Sequence, residues 1–168
     1  TVEFDTQVTQ NEVAYALHGE QRLKTEVIRV RGRRADLQVF EDARGLKVDD
    51  QVEFTDELLS VELAPGLLAQ VYDGLQNPLN ELAEKSGFFL ERGLYLPAVD
   101  YERRWAFTPT VRVGDELRAG DRLGQVPEGI FQHAIMLPFG WPGRWVVREI
   151  AAAGDYRVKD PVAQVANA

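Results

Sequence analysis

The sequence predicts a mainly β protein: a small N-terminal six-stranded barrel over residues 1–64, a short helical linker over 65–87 and a second β-rich unit over 88–168. Three observations carry this. From Thr1 to Leu63 the apolar residues come in short alternating runs broken by turn residues, as in antiparallel hairpins. After Pro65-Gly66 their spacing becomes helical, and from roughly Phe88 to Val165 it returns to strand-like runs.

In the first unit, Val2-Glu3-Phe4-Asp5 opens the alternation, and Val13–Leu17, Leu23–Val30, Ala35–Phe40, Gln51–Thr55 and Leu59–Leu63 continue it. Breaks at His18-Gly19-Glu20, Arg31-Gly32-Arg33, Arg44-Gly45 and Asp49-Asp50 separate these runs, so about six short strands at the spacing of a small closed barrel are expected. On a strand, Arg29, Arg31 and Arg33 share one face, which is read as a solvated surface. In the linker, Leu67, Leu68, Val71, Tyr72 and Leu75 recur at helical spacing, and Pro65 suits a first turn. Asn77-Pro78 interrupts that helix, and Leu79–Lys85 supports another turn or two before Ser86-Gly87 stops it.

The third segment holds an internal echo: Gly114-Asp115 leads to Gly124-Gln125-Val126, and Gly154-Asp155 leads to Ala163-Gln164-Val165. Each copy sets a Gly-Asp turn before a short apolar strand, and the pattern resembles the barrel-sandwich hybrid of biotinyl and lipoyl carrier domains, two interlocked halves related by a pseudo-twofold. A carrier needs a modifiable lysine on the hairpin between the halves. Ala134-Ile135-Met136-Leu137 lies near that hairpin and Lys24, Lys47, Lys85 and Lys159 lie elsewhere, so the likeness concerns fold and not cofactor attachment.

A length of 168 residues with 45% hydrophobic and 10% aromatic residues suits one ordinary core or two small ones. No apolar run approaches the roughly 18 residues needed to span a bilayer as a helix, and no signal-peptide pattern opens the chain. The absence of cysteine excludes disulfides and thiolate chemistry. A net charge of −8 and a pI near 4.8 oppose binding to nucleic acid or anionic lipid. The chain starts at Thr1 inside a strand-like alternation and stops soon after Val162–Val165, which is expected of a piece of a longer protein.

Catalytic chemistry finds little support. His18 and His133 are the only histidines and have no ligand spacing; His18 is expected in a solvated turn and His133 in a structural role. Asp42, Asp49, Asp50, Asp56 and Glu57 lie in or beside predicted turns, where water screens them, and acid–base work needs carboxylates gathered in a desolvated cleft. Trp105 and Phe107 alternate about Ala106 and so share one strand face, destined for the core. Trp141-Pro142-Gly143 reads as a turn, and Phe139 with Trp141 is the candidate partner contact. The Lys85-Ser86 pair does not complete a phosphate-binding G-x-x-x-x-G-K-[ST] loop, because Glu84 and Leu79 occupy the positions of its glycines.

Two longer blocks remain. Leu59-Ser60-Val61-Glu62-Leu63, Pro65-Gly66-Leu67-Leu68 and Tyr72-Asp73-Gly74-Leu75-Gln76-Asn77-Pro78-Leu79 form the first, with Ala64 departing from the usual Gly. Glu91-Arg92-Gly93-Leu94-Tyr95-Leu96-Pro97-Ala98-Val99-Asp100 and Trp105-Ala106-Phe107-Thr108-Pro109 form the second. In this order they resemble the catalytic A (alpha) subunit of V-type and archaeal-type rotary ATP synthases, from its N-terminal β-barrel into the insertion called the bulge or non-homologous region. The likeness continues through Val113-Gly114-Asp115, His133, Ile135-Met136, Pro138 and Gly154-Asp155-Tyr156. It implies that Asp73, Gly74, Gln76 and Pro78 form the hand-off toward the nucleotide-binding domain, with Asp73 a turn former.

The resemblance further implies an intact subunit that hydrolyses or synthesises ATP with Mg, alternating with B subunits in an A3B3 hexamer. A central rotor and a peripheral stalk would couple it to proton or sodium transport, on the cytoplasmic face of the membrane without insertion. These residues alone would supply assembly surfaces and no catalytic, cofactor-binding or metal-binding group. A stand-alone β-rich adaptor, contacting partners through Phe139 and Trp141, is the alternative.

Overall fold

The computed structural model describes residues 1–87, 89 and 91–168. The chain divides into two compact units, Thr1–Val61 with Val71–Pro97, and Glu62–Gln70 with Ala98–Ala168.

The first unit is built on β1 (Val2–Glu3), β2 (Glu12–His18), β3 (Gln21–Arg31), β4 (Arg34–Val39) and β5 (Val52–Leu58), all antiparallel in the order β1-β4-β3-β2-β5. Its inner face alternates as the sequence does: Ala14, Ala16, Leu23, Val27 and Ala35 are buried there, and Val13, on the opposite face of β2, is buried as well. Thr25 is buried with them because its Oγ1 donates to the Ala14 carbonyl at 3.1 Å. Phe4, just past β1, packs edge-on against Phe54 of β5 with ring centroids 5.9 Å apart, drawing the two edges of the sheet together. The helix α1 (Leu79–Ser86) belongs to the same unit and buries Leu82; Glu81 in its first turn and Lys85 in its last suit the helix dipole.

The second unit comprises β6 (Arg104–Pro109), β7 (Glu116–Leu117), β8 (Arg122–Glu128), β9 (Phe131–Met136), β10 (Trp145–Ile150), β11 (Gly154–Arg157) and β12 (Ala163–Asn167). They form a three-stranded sheet, β12-β10-β7, and a four-stranded sheet, β11-β6-β8-β9. Leu117, Leu123, Leu137 and Val147 make one buried cluster, and Trp105, Phe107 and Val126 another. Two corners repeat one pattern. At the first, Gly114 donates its N–H to the Val147 carbonyl and Val147 returns its own to the Asp115 carbonyl, at 2.9 and 3.0 Å. At the second, Gly120, Leu137 and Asp121 do the same at 3.0 and 2.9 Å. Val147 and Leu137 are both buried, so each corner ties a turn to a core strand or its end, as two interlocked halves require.

Three hairpins, β2–β3, β3–β4 and β8–β9, close with two-residue loops that begin with Gly19, Gly32 and Gly129, at φ of 59°, 59° and 61°. A glycine with positive φ at the first loop position matches the twist of the flanking strands. The first two loops coincide with the predicted breaks.

The sixth strand at Leu59–Leu63 does not form: β5 ends at Leu58, and the segment beyond it has no ladder partner among the described residues, so the sheet has five strands. The helix expected over Leu67–Leu75 is absent, and turns take its place. Positive φ at Gly66, Ala69 and Gln76, of 110°, 65° and 62°, cannot be accommodated in a right-handed helix, and the helical spacing there is not used. Arg33 sits in the β3–β4 loop and pairs with Asp5, so it does not extend the arginine face of β3. Gly154-Asp155 is part of β11 and not a turn, so the true counterparts of Gly114-Asp115 lie elsewhere. The start of the second β unit expected at Phe88 falls outside the described residues.

Candidate functional site

The residues expected to form the hand-off, Asp73 to Pro78, cluster on one carboxylate. Asp73 Oδ1 accepts the N–H groups of Leu75 and Asn77, both at 2.8 Å, and Oδ2 accepts the Asn77 side-chain amide at 2.8 Å. The backbone closes the same loop, with Asp73 N–H donating to the Asn77 carbonyl at 3.1 Å and Gln76 N–H to the Asp73 carbonyl at 3.2 Å. A side chain that bonds backbone two and four residues on is what makes Asp a turn former. Pro78 caps the start of α1 in an extended conformation and bridges to Tyr72. Gly74 has open space where a side chain would stand, so neither sterics nor backbone angle demands glycine.

Asn77 completes the loop and was missed by sequence reasoning. It is buried, and its Oδ1 accepts the Leu96 N–H at 2.9 Å, tying the turn to the segment after α1. The signal was present as an Asp and an Asn four residues apart before a proline. Beside this turn lies a cavity of about 370 Å³, lined among others by Phe40, Glu41, Asp73, Leu82 and Tyr95. Its acidic wall is already satisfied: Tyr95 donates its hydroxyl to Glu41, and Gly93 N–H donates to the other Glu41 oxygen at 2.8 Å. Burial and the Glu41 carboxylate push the Tyr95 phenol well above its ordinary pKa of 10.0, so Tyr95 stays a donor at neutral pH.

The two histidines both pair with carboxylates. His18 ends β2 rather than sitting in a solvated turn, and its Nδ1 lies 3.0 Å from Asp50 Oδ2. Asp50 also accepts the Lys47 N–H at 2.7 Å; that bond, opposed by partial burial and aided by His18, holds its carboxyl below the ordinary value. His133, on β9, places Nδ1 2.8 Å from Glu128 Oε2.

Glu128 is the buried carboxylate that sequence reasoning missed, only 6% exposed at the end of β8. Its Oε1 accepts the N–H groups of Gly66 at 2.6 Å and Leu68 at 3.1 Å. Burial would raise its pKa, but the two backbone donors and His133 outweigh it and hold the carboxyl below the ordinary value. The alternation Gly124-Val126-Glu128 along β8 points all three to the same side, which was the available clue. Glu12, the other buried acid, accepts Thr9 N–H at 2.9 Å and Asp56 N–H at 2.8 Å beside the irregularity that pairs β2 with β5.

Phe139 and Trp141 share a turn that starts three residues earlier than the predicted Trp141-Pro142-Gly143: Trp141 N–H donates to the Pro138 carbonyl at 3.1 Å. Phe139 is 77% exposed and leans against Gly120; Trp141 is 42% exposed and stacks on Trp145 with centroids 4.8 Å apart. Trp105 and Phe107 are buried core residues as expected. Among the described residues, no group of three His, Asp or Glu is placed to hold a metal ion.

Residues 2–56 match the ATP synthase alpha/beta family, beta-barrel domain, and residues 96–168 match the ATPsynthase alpha/beta subunit barrel-sandwich domain. The chain is 56% identical to the V-type ATP synthase alpha chain of Treponema denticola over 165 residues, covering 98% of this chain and 28% of that protein. It is 57% identical to V-type ATP synthase alpha chain 1 of Treponema pallidum over 168 residues, covering 100% of this chain and 28% of the relative. Against the V-type ATP synthase alpha chain of Borrelia duttonii the identity is 54% over 165 residues, or 98% and 29% of the two chains. The chain therefore spans less than a third of the length of these relatives. With the two domain matches in chain order and identity above half from end to end, the chain belongs to the V-type ATP synthase alpha-chain family and carries its β-barrel and barrel-sandwich domains.

Proposed function

We propose that this chain is the non-catalytic N-terminal part of the alpha subunit of a V-type ATP synthase. The intact subunit hydrolyses or synthesises ATP, coupled to proton or sodium transport, and ATP, ADP and Mg bind to portions of it outside these residues. The observation that supports this reading is the identity to relatives named V-type ATP synthase alpha chain along the whole chain, in a sequence without a G-x-x-x-x-G-K-[ST] loop. The barrel domain, with its edges drawn together, would supply cohesion among alternating A and B subunits of an A3B3 hexamer. The barrel-sandwich unit would face the peripheral stalk, and the central rotor would turn against the assembled head on the cytoplasmic side of the membrane. Phe139 and Trp141 are the contact residues proposed for it, and Asp73, Gly74, Gln76 and Pro78 the hand-off.

Peptide mapping of the native gene product by mass spectrometry tests the reading. A G-x-x-x-x-G-K-[ST] peptide in the same polypeptide is the expected result. A native protein that ends near Ala168 would overturn it and leave the adaptor reading, favoured only by the exposed Phe139, to be tested by partner capture.

A further inference from the structure

The segment Glu62–Gln70 belongs to the barrel-sandwich unit although the residues before and after it belong to the other one. It forms neither strand nor helix. Gly66 and Ala69 hold it in a contorted course with positive φ. Its own apolar anchorage is slight: Ala64 and Pro65 are buried, whereas Leu63 is 82% exposed and Leu68 51%. What fastens it is polar. Tyr101 donates its hydroxyl to Glu62 at 2.7 Å at one end, and in the middle the Gly66 and Leu68 N–H groups converge on the single oxygen Oε1 of buried Glu128. The second Glu128 oxygen is held by His133, which fixes the carboxylate's orientation. Two backbone donors on one desolvated anion are charge-assisted and cannot be replaced by water without movement.

Beneath this segment is an apolar cavity of about 510 Å³, walled by Leu63, Ala64 and Pro65 on one side and by Trp105, Phe107 and Ile135 among others. The Trp105 indole N–H there is buried without an acceptor, and the neighbouring Cζ2 edge of the same ring faces Gly66. A side chain at Gly66 would press on that edge at 3.3 Å, so the segment lies close on the cavity wall.

We propose that Glu62–Gln70 is a latched flap on the barrel-sandwich unit: Glu128, positioned by His133, holds it against the cavity, and removing the carboxylate frees the flap while both sheets stay folded. This holds independently of the function proposed above. The β8–β9 ladder and the Leu117, Leu123, Leu137 and Val147 cluster do not depend on the flap, because none of their pairings runs through it.

Backbone amide exchange on the full chain, followed by NMR, tests the proposal. In Glu128→Ala the Gly66 and Leu68 amides should exchange at least about tenfold faster, with Leu123 and Val147 unchanged. Glu128→Gln keeps the shape but weakens acceptance, and should give an intermediate acceleration at the same two amides. In the wild type the Gly66 and Leu68 amides should open with a smaller urea dependence than Val147, a measurement that requires no substitution. Unchanged exchange at Gly66 and Leu68 in Glu128→Ala, equal acceleration of every amide, or a wild-type urea dependence equal to that of Val147 would each overturn the latch.

Discussion

At Gly124 the backbone of β8 runs so close to β6 that a Cβ would stand 2.2 Å from Phe107 Cε2 and 2.8 Å from the Thr108 carbonyl oxygen. The Phe107 ring is buried and the carbonyl is backbone, so neither can step aside cheaply. Gly124→Ala should therefore lower stability by about 1–3 kcal/mol or more, read as the shift in urea midpoint. Gly74 is the internal contrast, because its Cβ position is open and Gly74→Ala should stay within about 0.5 kcal/mol of wild type. The sequence shows the two glycines alike. Only the close approach of the strands separates them, and that depends on which strands pair.

Local turns recur in one chemical form. In Lys47–Asp50, Arg112–Asp115, Arg118–Asp121 and Arg157–Asp160 the Asp carboxylate accepts the N–H of the residue three before it, at 2.7–2.8 Å, while the Asp N–H donates back to that residue's carbonyl. Each has the form of a basic residue, two others and Asp, so the repeat is legible in the sequence, and it is this spacing rather than the Gly-Asp pair that marks the turn. Gly154-Asp155 lacks the preceding basic residue and lies in a strand. Asp121→Ala should cost about 1 kcal/mol by leaving the Arg118 N–H to water, and Asp121→Asn, which retains an acceptor, less; thermal melts of the two variants check the order. Strand positions from Val13 to Phe40 and the helix at Leu79 could be read directly, because alternation and turn residues agree there. The failures, at Leu59–Leu63 and Leu67–Leu75, fall where apolar residues stay exposed or serve a crossing segment, and periodicity carries no information about such a course.

Taken as a whole, the molecule owes part of its stability to carboxylates held below their ordinary values. Asp50 and Glu128 are two such groups, with ordinary values of 3.8 and 4.5. A group of this kind takes up its proton less readily folded than unfolded. Its contribution is complete above the unfolded value and drains away as pH falls through the lower folded value. Urea midpoints should therefore hold between pH 7 and about 5 and decline below pH 4, and Asp50→Asn should flatten the decline. Tyr95 acts at the other end with the opposite sign: its raised pKa stabilises the fold below pH 10.0 and that share is lost as pH climbs beyond it. The candidate contact residues Phe139 and Trp141 were visible as unusual aromatics in a turn, whereas Glu128 had to be found in space, since its partners lie about sixty residues away in a stretch that reads as linker.

That separation has a consequence for biosynthesis. Gly66 precedes Glu128 by 62 residues, and the Glu62–Gln70 segment emerges from the ribosome long before β8 and β9 exist to receive it. At about 5–20 residues per second the nascent chain waits roughly 3–12 s before Glu128 is made, with Ala64 and Pro65 uncovered and the Gly66 and Leu68 N–H groups left to water. A segment left unlatched in that interval is an opportunity for a chaperone, and slowing translation between Gly66 and Glu128 should lengthen the time it is held.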